Sequence, residues 1–156
     1  MKRLAVVQIR GLIGVNKKIR DTFKFLSLYK KNSCVIVSDT PSYIGMLDKI
    51  KDYITWGELD KDTFKLLLEK RGRLPSNKPI TEGYIKEKLK LGLNEFADNF
   101  MNLKSELKDI PGLKVFFRLK PPEGGFEYKG IKKQYSQGGA LGYRKSVIND
   151  LIRRML

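Results

Sequence analysis

At 156 residues the chain has room for one ordinary domain, and a hydrophobic fraction of 41% lets it bury a core and excludes disorder over its whole length. Its 32 Lys and Arg against 17 Asp and Glu give a formal net charge of +15, which repels itself unless a polyanion neutralises it; RNA, DNA and anionic membrane are the candidate partners. The absence of His removes the commonest general base and metal ligand, and a single Cys excludes an internal disulfide and a zinc cage built from thiolates.

The opening Met1-Lys2-Arg3-Leu4-Ala5-Val6-Val7-Gln8-Ile9 is basic and then apolar, in the manner of a signal peptide. The apolar run is short, Gln8 and Arg10 break it, and no small-residue cleavage site follows. It reads as a strand over residues 4–9. No stretch approaches the roughly 18 apolar residues that span a bilayer, so the expectation is a soluble intracellular protein.

Gly11-Leu12-Ile13-Gly14 is a turn, and Asn16 caps a helix with Ile19, Phe23 and Leu26 on one face. Cys34-Val35-Ile36-Val37 reads as a strand buried on both faces, which makes Cys34 an inert thiol with no His to activate it. Asp39-Thr40-Pro41 starts a second helix with Ile44, Leu47 and Ile50 as its stripe, and Tyr53 to Trp56 is a third strand closed by Gly57. Strand, helix, strand, helix, strand predicts two helices on one face of a small sheet: an α+β, ferredoxin-like, half-open sandwich.

The middle third predicts three helices. Asp60 caps the first, with Phe64, Leu67 and Leu68. Thr81 starts the second, with Ile85 and Leu89. Asn94 caps the third, with Phe96, Phe100, Leu103 and Leu107. After the turn Asp109-Ile110-Pro111-Gly112, residues 113–119 read as a strand. Residues 124–142, rich in Gly and poor in large aliphatic side chains, are expected to be mobile when free and ordered on a ligand. A last helix over residues 146–155 presents Val147, Ile148, Leu151, Ile152 and Met155. The organisation expected is a core over 1–57, a helical insertion over 58–111 and a basic C-terminal extension over 112–156 that packs back on the core.

Charge follows those divisions. Residues 1–57 carry a net +7, residues 58–111 a net +1, and residues 112–156 a net +7. The two ends are therefore expected to form one polyanion-binding surface, with the balanced middle facing solvent or protein.

Three segments carry a resemblance. They are Val6-Val7-Gln8-Ile9-Arg10-Gly11-Leu12-Ile13-Gly14; Asp39-Thr40-Pro41 with Gly45-Met46; and Phe117-Arg118-Leu119-Lys120-Pro121-Pro122-Glu123-Gly124-Gly125, followed by Gly138-Gly139-Ala140-Leu141-Gly142-Tyr143-Arg144 and Leu151-Ile152-Arg153-Arg154-Met155. In order and spacing the chain resembles the universal large-subunit ribosomal protein L-thirty family in its long archaeal-type form. The short bacterial form is similar only over residues 1–57. Eukaryotic members carry a long basic N-terminal extension, whereas here the first strand begins at about residue 3. The resemblance implies a ferredoxin-like core, large-subunit ribosomal RNA as ligand, a position near the five-S RNA beside other ribosomal proteins, and no catalytic activity.

The candidate RNA-binding residues follow from charge, glycine and aromatic placement. Lys2 and Arg3 precede the first strand. Arg10, Gly11, Gly14, Asn16, Lys17, Lys18 and Arg20 combine close backbone approach with helix N–H groups and cations; the plain alternative is a tight turn before a solvated helix, and no GK[ST] follows to make a Walker loop. Tyr43, Gly45 and Lys49 lie on the second helix, and Arg118 and Lys120 on the last strand. Lys129, Lys132, Lys133, Tyr135, Gly138, Gly139, Tyr143, Arg144 and Lys145 interleave cations with aromatics that neutralise phosphate and stack on bases, the alternative being a flexible loop. Arg153 and Arg154 either meet RNA or favour their helix through its dipole. Two rival functions remain open: a free RNA- or DNA-binding regulator, and an acylphosphatase-like enzyme, whose Arg-bearing loop after the first strand is faintly like Arg10 to Arg20 but whose further motif is missing. No metal or other cofactor is expected.

Overall fold

Alternation along the first strand sets the architecture. In the computed structural model, which describes residues 2–156, β1 (Arg3–Gln8) turns Leu4 and Val6 to one face and Ala5 and Val7 to the other, and all four are buried. A strand that is apolar on both sides must be covered on both sides. The chain continues as α1 (Lys17–Phe25), β2 (Ser33–Ser38), α2 (Pro41–Lys49), β3 (Ile54–Glu58), α3 (Lys61–Arg71), α4 (Glu82–Leu89), α5 (Leu93–Met101), β4 (Phe116–Arg118), β5 (Gly142–Tyr143) and α6 (Ile148–Met155).

The five strands run β4-β2-β1-β3-β5. β1 is central and antiparallel to both neighbours, with Val6 opposite Val35 on one side and Trp56 on the other. β2 and β3 are thus parallel across an intervening strand, the split β-α-β arrangement expected for the ferredoxin-like core. The last third of the chain supplies both edges: β4 pairs antiparallel with β2, and β5 pairs parallel with β3.

On one face α1 and α2 bury Phe23, Leu26, Leu47 and Ile50 against Leu4, Val6, Val35 and Trp56. On the other, α3, α5 and α6 bury Phe64, Phe96, Phe100, Leu151 and Met155 over Ala5, Val7, Ile9 and Cys34, with Phe64 stacked on Phe100 at 4.3 Å between ring centroids. The sandwich is therefore closed, not half-open. The balanced middle third, together with α6, covers the second apolar face of the sheet.

Side-chain caps fix four helix starts. Asn16 accepts from the Lys18 N–H at 3.1 Å, Thr40 from Tyr43 at 3.4 Å, Asp60 from Thr63 at 2.6 Å and Thr81 from Tyr84 at 3.4 Å. Each such cap contributes about 1 kcal/mol.

Five expectations are corrected. Ile44 is exposed, because the inward face of α2 runs through Tyr43, Met46, Leu47 and Ile50. β3 passes through Gly57 to Glu58; a Cβ there would stand 1.9 Å from the Lys145 carbonyl oxygen, so glycine admits that backbone without ending the strand. The third middle helix is capped at Gly92, not Asn94, with the Glu95 carboxylate accepting from the Gly92 N–H at 3.1 Å; it ends at Met101, and a left-handed Leu103 (φ 61°) turns the chain away. β4 spans only three residues, because the Lys114 N–H is given to the Arg73 carbonyl before the strand begins. The last helix opens as a 3-10 turn over Lys145–Val147, which leaves Val147 exposed.

Residues 124–142 pack on their own protein. The Tyr135 N–H donates to the Leu141 carbonyl at 2.7 Å, Gly139 to Gln134 at 2.9 Å and Ala140 to Gly130 at 3.1 Å, and Ala140 and Leu141 are buried. Gly139 is required by this packing: a Cβ would lie 2.1 Å from the Lys133 carbonyl oxygen.

Candidate nucleic-acid interface

One end of the sheet gathers the end of β1, the starts of β2 and β3, and the end of β4. Gln8 faces Ile54, Ser33 faces Arg118, and the Asn32 N–H donates to the Gln8 carbonyl at 2.8 Å. The segments that enter and leave this end carry Arg10, Lys17, Lys18, Lys30, Lys31, Lys49, Lys51, Arg118 and Lys120, and the Lys side chains, Arg118 and the Gly11–Gly14 turn are exposed. Asn16 caps α1 here, so Lys17 and Lys18 sit in a first turn whose N–H groups already favour anions. Arg20 anchors the same loop by donating to the Val15 carbonyl at 3.2 Å.

The C-terminal third joins this end through the Asp52 carboxylate. Asp52 accepts from Gln134 Nε2 at 3.2 Å through its Oδ1, and its carbonyl accepts from Arg10 Nη1 at 3.2 Å. The Arg10 guanidinium lies 5.2 Å from the Tyr53 ring centroid. Lys129, Lys132 and Lys133, all exposed, precede Gln134. Two separated stretches of sequence thus bring exposed cations to one end of the sheet.

The opposite end of the sheet is neutralised. Lys2 Nζ lies 2.8 Å from Glu58 Oε1, which raises the lysine pKa, chiefly through that hydrogen bond. Tyr143 is half-exposed beside Trp56, and desolvation, then the Glu58 charge, raises its phenol pKa. Arg153 donates to Thr63 at 3.0 Å and to Asp60 at 3.0 Å; Arg154 lies instead beside the segment that follows β4, where it donates to the Gly125 carbonyl at 2.9 Å and its own carbonyl accepts from the Glu123 N–H at 2.9 Å.

Two candidate RNA ligands are turned inward. Arg3 is 2% exposed; it donates to the Phe100 carbonyl at 3.0 Å, the Ser38 hydroxyl at 3.0 Å and the Ser105 carbonyl at 2.8 Å, pairs with Glu106 at 3.0 Å, and lies over the Phe100 ring. Arg144 is 1% exposed; it donates to Thr55 at 2.8 Å, to Glu127 at 2.6 Å and to the Ala140 carbonyl at 2.7 Å, over the Tyr135 ring. Both tie distant parts of the chain together. Gly138 and Gly139 serve the loop's own packing, and Gly45, Tyr43 and Lys49 lie along α2, with Gly45 and Lys49 exposed. Lys145 is exposed at the neutralised end.

Sequence reading missed Lys30, Lys31 and Lys51. A Lys-Lys pair directly before an apolar run was the available signal, since a strand start and the preceding strand's end share one edge of an antiparallel sheet.

Fold and charge together define a class: a basic α+β protein on a split β-α-β sheet, cationic at one end. Among the described residues no helix is long and apolar enough to cross a membrane. The family model for ribosomal protein L30p/L7e matches residues 4–54. The chain is 52% identical to the large ribosomal subunit protein uL30 of Methanopyrus kandleri over 95% of its own length and 100% of that protein. It is 49% identical to the uL30 of Methanococcus maripaludis over 97% and 98% of the two chains, and 47% identical to that of Nanoarchaeum equitans over 100% of both. The chain belongs to the ribosomal protein L30p/L7e family, in the long form that its archaeal relatives share. It is accordingly a structural component of the large ribosomal subunit, located on cytoplasmic ribosomes, and not an enzyme.

Proposed function

We propose that the chain binds and orders large-subunit ribosomal RNA through the cationic end of its sheet. One observation carries this reading: the exposed cations Lys17, Lys18, Lys30, Lys31, Lys120, Lys132 and Lys133 converge on one end, while Glu58, Asp60 and Glu106 offset the cations at the other. A rigid sheet holds these charges at fixed spacing, so that a folded RNA backbone is recognised by shape and its phosphates are neutralised without prior ordering of the protein. Arg10, Gly11, Gly14, Asn16 and Arg20 form the turn that approaches the backbone, and Arg118, Lys120 and Lys129 extend the surface along the C-terminal third. In this reading the chain sits near the five-S RNA, with neighbouring ribosomal proteins against its less cationic faces.

Charge reversal tests the reading. Lys17→Glu with Lys18→Glu should weaken binding to transcribed large-subunit RNA and flatten its dependence on log salt by about 2. Lys61→Glu with Lys65→Glu, on α3 and away from this end, should leave both nearly unchanged. Equal loss in the two double variants would refute an interface confined to the sheet end.

A further inference from the structure

We infer a second RNA subsite, on the β2–β4 edge of the sheet, that takes unpaired bases by stacking; it rests on the RNA-binding reading and adds to it a contact that does not act through phosphate. Phe25 is 80% exposed at the end of α1, and Tyr29 is 54% exposed in the return to β2. The two stand four residues apart on one connection, and exposed apolar side chains that are grouped, not scattered singly, mark interaction sites. Tyr29 meets Phe116 of β4 edge to face, with centroids 5.7 Å apart at 78°, and the Arg118 guanidinium lies 5.9 Å from the Phe116 ring centroid. Phe116 pairs with Val35 of β2, and Val35 also lines a groove of about 440 Å³ walled by Phe25, Tyr43 and Val115 and bordered by Glu106, whose carboxylate is already paired with Arg3 at 3.0 Å. Ledge and groove share Phe25 and adjoin at Val35 and Val115, the register partner and the chain neighbour of Phe116, and the groove is in the size range of small-ligand pockets.

Charge selects RNA as the occupant. Residues 22–38 carry Lys24, Lys30 and Lys31 with no carboxylate, and residues 110–122 carry Lys114, Arg118 and Lys120 with none. These two stretches flank the ledge. Among the described residues, Lys24, Lys30, Lys31 and Arg118 form no ion pair. Aromatic faces interleaved with free cations are the requirements for holding single-stranded nucleotides, where each ring stacks on a base and each cation meets a phosphate. A protein partner would have to bring a matching set of carboxylates, whereas RNA brings a phosphate with every base. The subsite thus receives nucleotides looped out of the RNA that the cationic end holds by its backbone.

The test uses the full chain, a fluorescein-labelled single-stranded RNA dodecamer and a matching dodecamer without bases. Wild type should prefer the RNA to the abasic oligomer. Phe25→Ala with Tyr29→Ala, both at exposed positions, should lower affinity for the RNA on the order of tenfold or more, leaving affinity for the abasic oligomer and the salt slope unchanged. Loss on both oligomers would reduce the ledge to a backbone contact and overturn the proposal. Unchanged RNA affinity would also overturn it, and if the variant then failed to enter reassembled large subunits, the ledge would be a protein contact. Failure of the underlying reading is separate: there, reversing Lys17 and Lys18 would leave affinity for transcribed large-subunit RNA untouched.

Discussion

Replacing Arg144 with methionine should destabilise the fold and spare RNA binding. Methionine keeps much of the apolar stem but removes four donated bonds: one to Thr55, two to Glu127 and one to the Ala140 carbonyl. The Glu127 carboxylate, 19% exposed, is left without its cation in a largely desolvated site. Breaking a buried pair by removing one partner costs roughly 3–5 kcal/mol, and the residual exposure of Glu127 favours the lower figure, about 3 kcal/mol. For a domain of this size that corresponds to a melting temperature about 6–12 °C lower. Circular dichroism melting reads the loss, and filter binding to transcribed RNA well below the transition reads the function. A companion Glu127→Leu change should recover part of the loss, because the double variant buries no lone charge. A melting temperature within about 2 °C of wild type, combined with tenfold weaker RNA binding, would show Arg144 to be an RNA ligand and refute its inward role.

Log affinity for large-subunit RNA should fall linearly with log salt, with a slope near −4 to −7 for about 5 to 8 phosphates, and a slope shallower than −2 would contradict neutralisation by the sheet end. Amide exchange on the free protein should be slow at Ala140, Leu141 and Arg144, whose N–H groups are bonded, and fast at Tyr128; uniformly fast exchange over residues 130–142 would mean that the loop orders only on RNA. Cys34, whose burial pushes its thiol from an ordinary 9.0 up to about 12, should resist iodoacetamide at pH 8 in the native protein and react at once in urea. The raised pKa means the native thiol holds its proton where the unfolded thiol loses it, so its contribution to stability should be complete below pH 9 and decline as pH rises from there towards 12.

Local chemistry was legible in the sequence. Asn16, Thr40, Asp60 and Thr81 each cap the helix they announce, because a cap is decided by a side chain and the two or three N–H groups beside it. The strands β1 to β3 and their order could be read for the same reason. What escaped depended on partners far along the chain. Gly57 resembles a strand terminator until Lys145 and Ile148 arrive against it. Arg3 and Arg144 look like surface cations until the Phe100 and Ser105 carbonyls, or Thr55 some 89 positions away, are brought to them. The second face of the sheet was likewise hidden, since nothing local to Ala5, Val7 and Ile9 specifies the three helices that cover them. At the candidate interface the charge surplus was evident, but its convergence on one end rests on the antiparallel pairings of β1.

The order in which the ribosome itself makes this chain gives the two-sided sheet a kinetic consequence. β1 is synthesised first yet lies at the centre of the sheet, whereas α6 and both flanking strands come from the last third. When β3 is complete, one face is already roofed by α1 and α2, but Ala5, Val7, Ile9 and Cys34 still wait for helices not yet made. At roughly 5–20 residues per second, the interval between Glu58 and Ile148 lasts on the order of ten seconds. Until α5 is complete that face is bare, and the part that α6 covers stays greasy and strand-edged to the end, on a chain that already carries much of its positive charge. Vectorial synthesis therefore makes this fold dependent on shelter, and a chain stalled before residue 148 would be a substrate for chaperones and proteases rather than a shortened but serviceable protein.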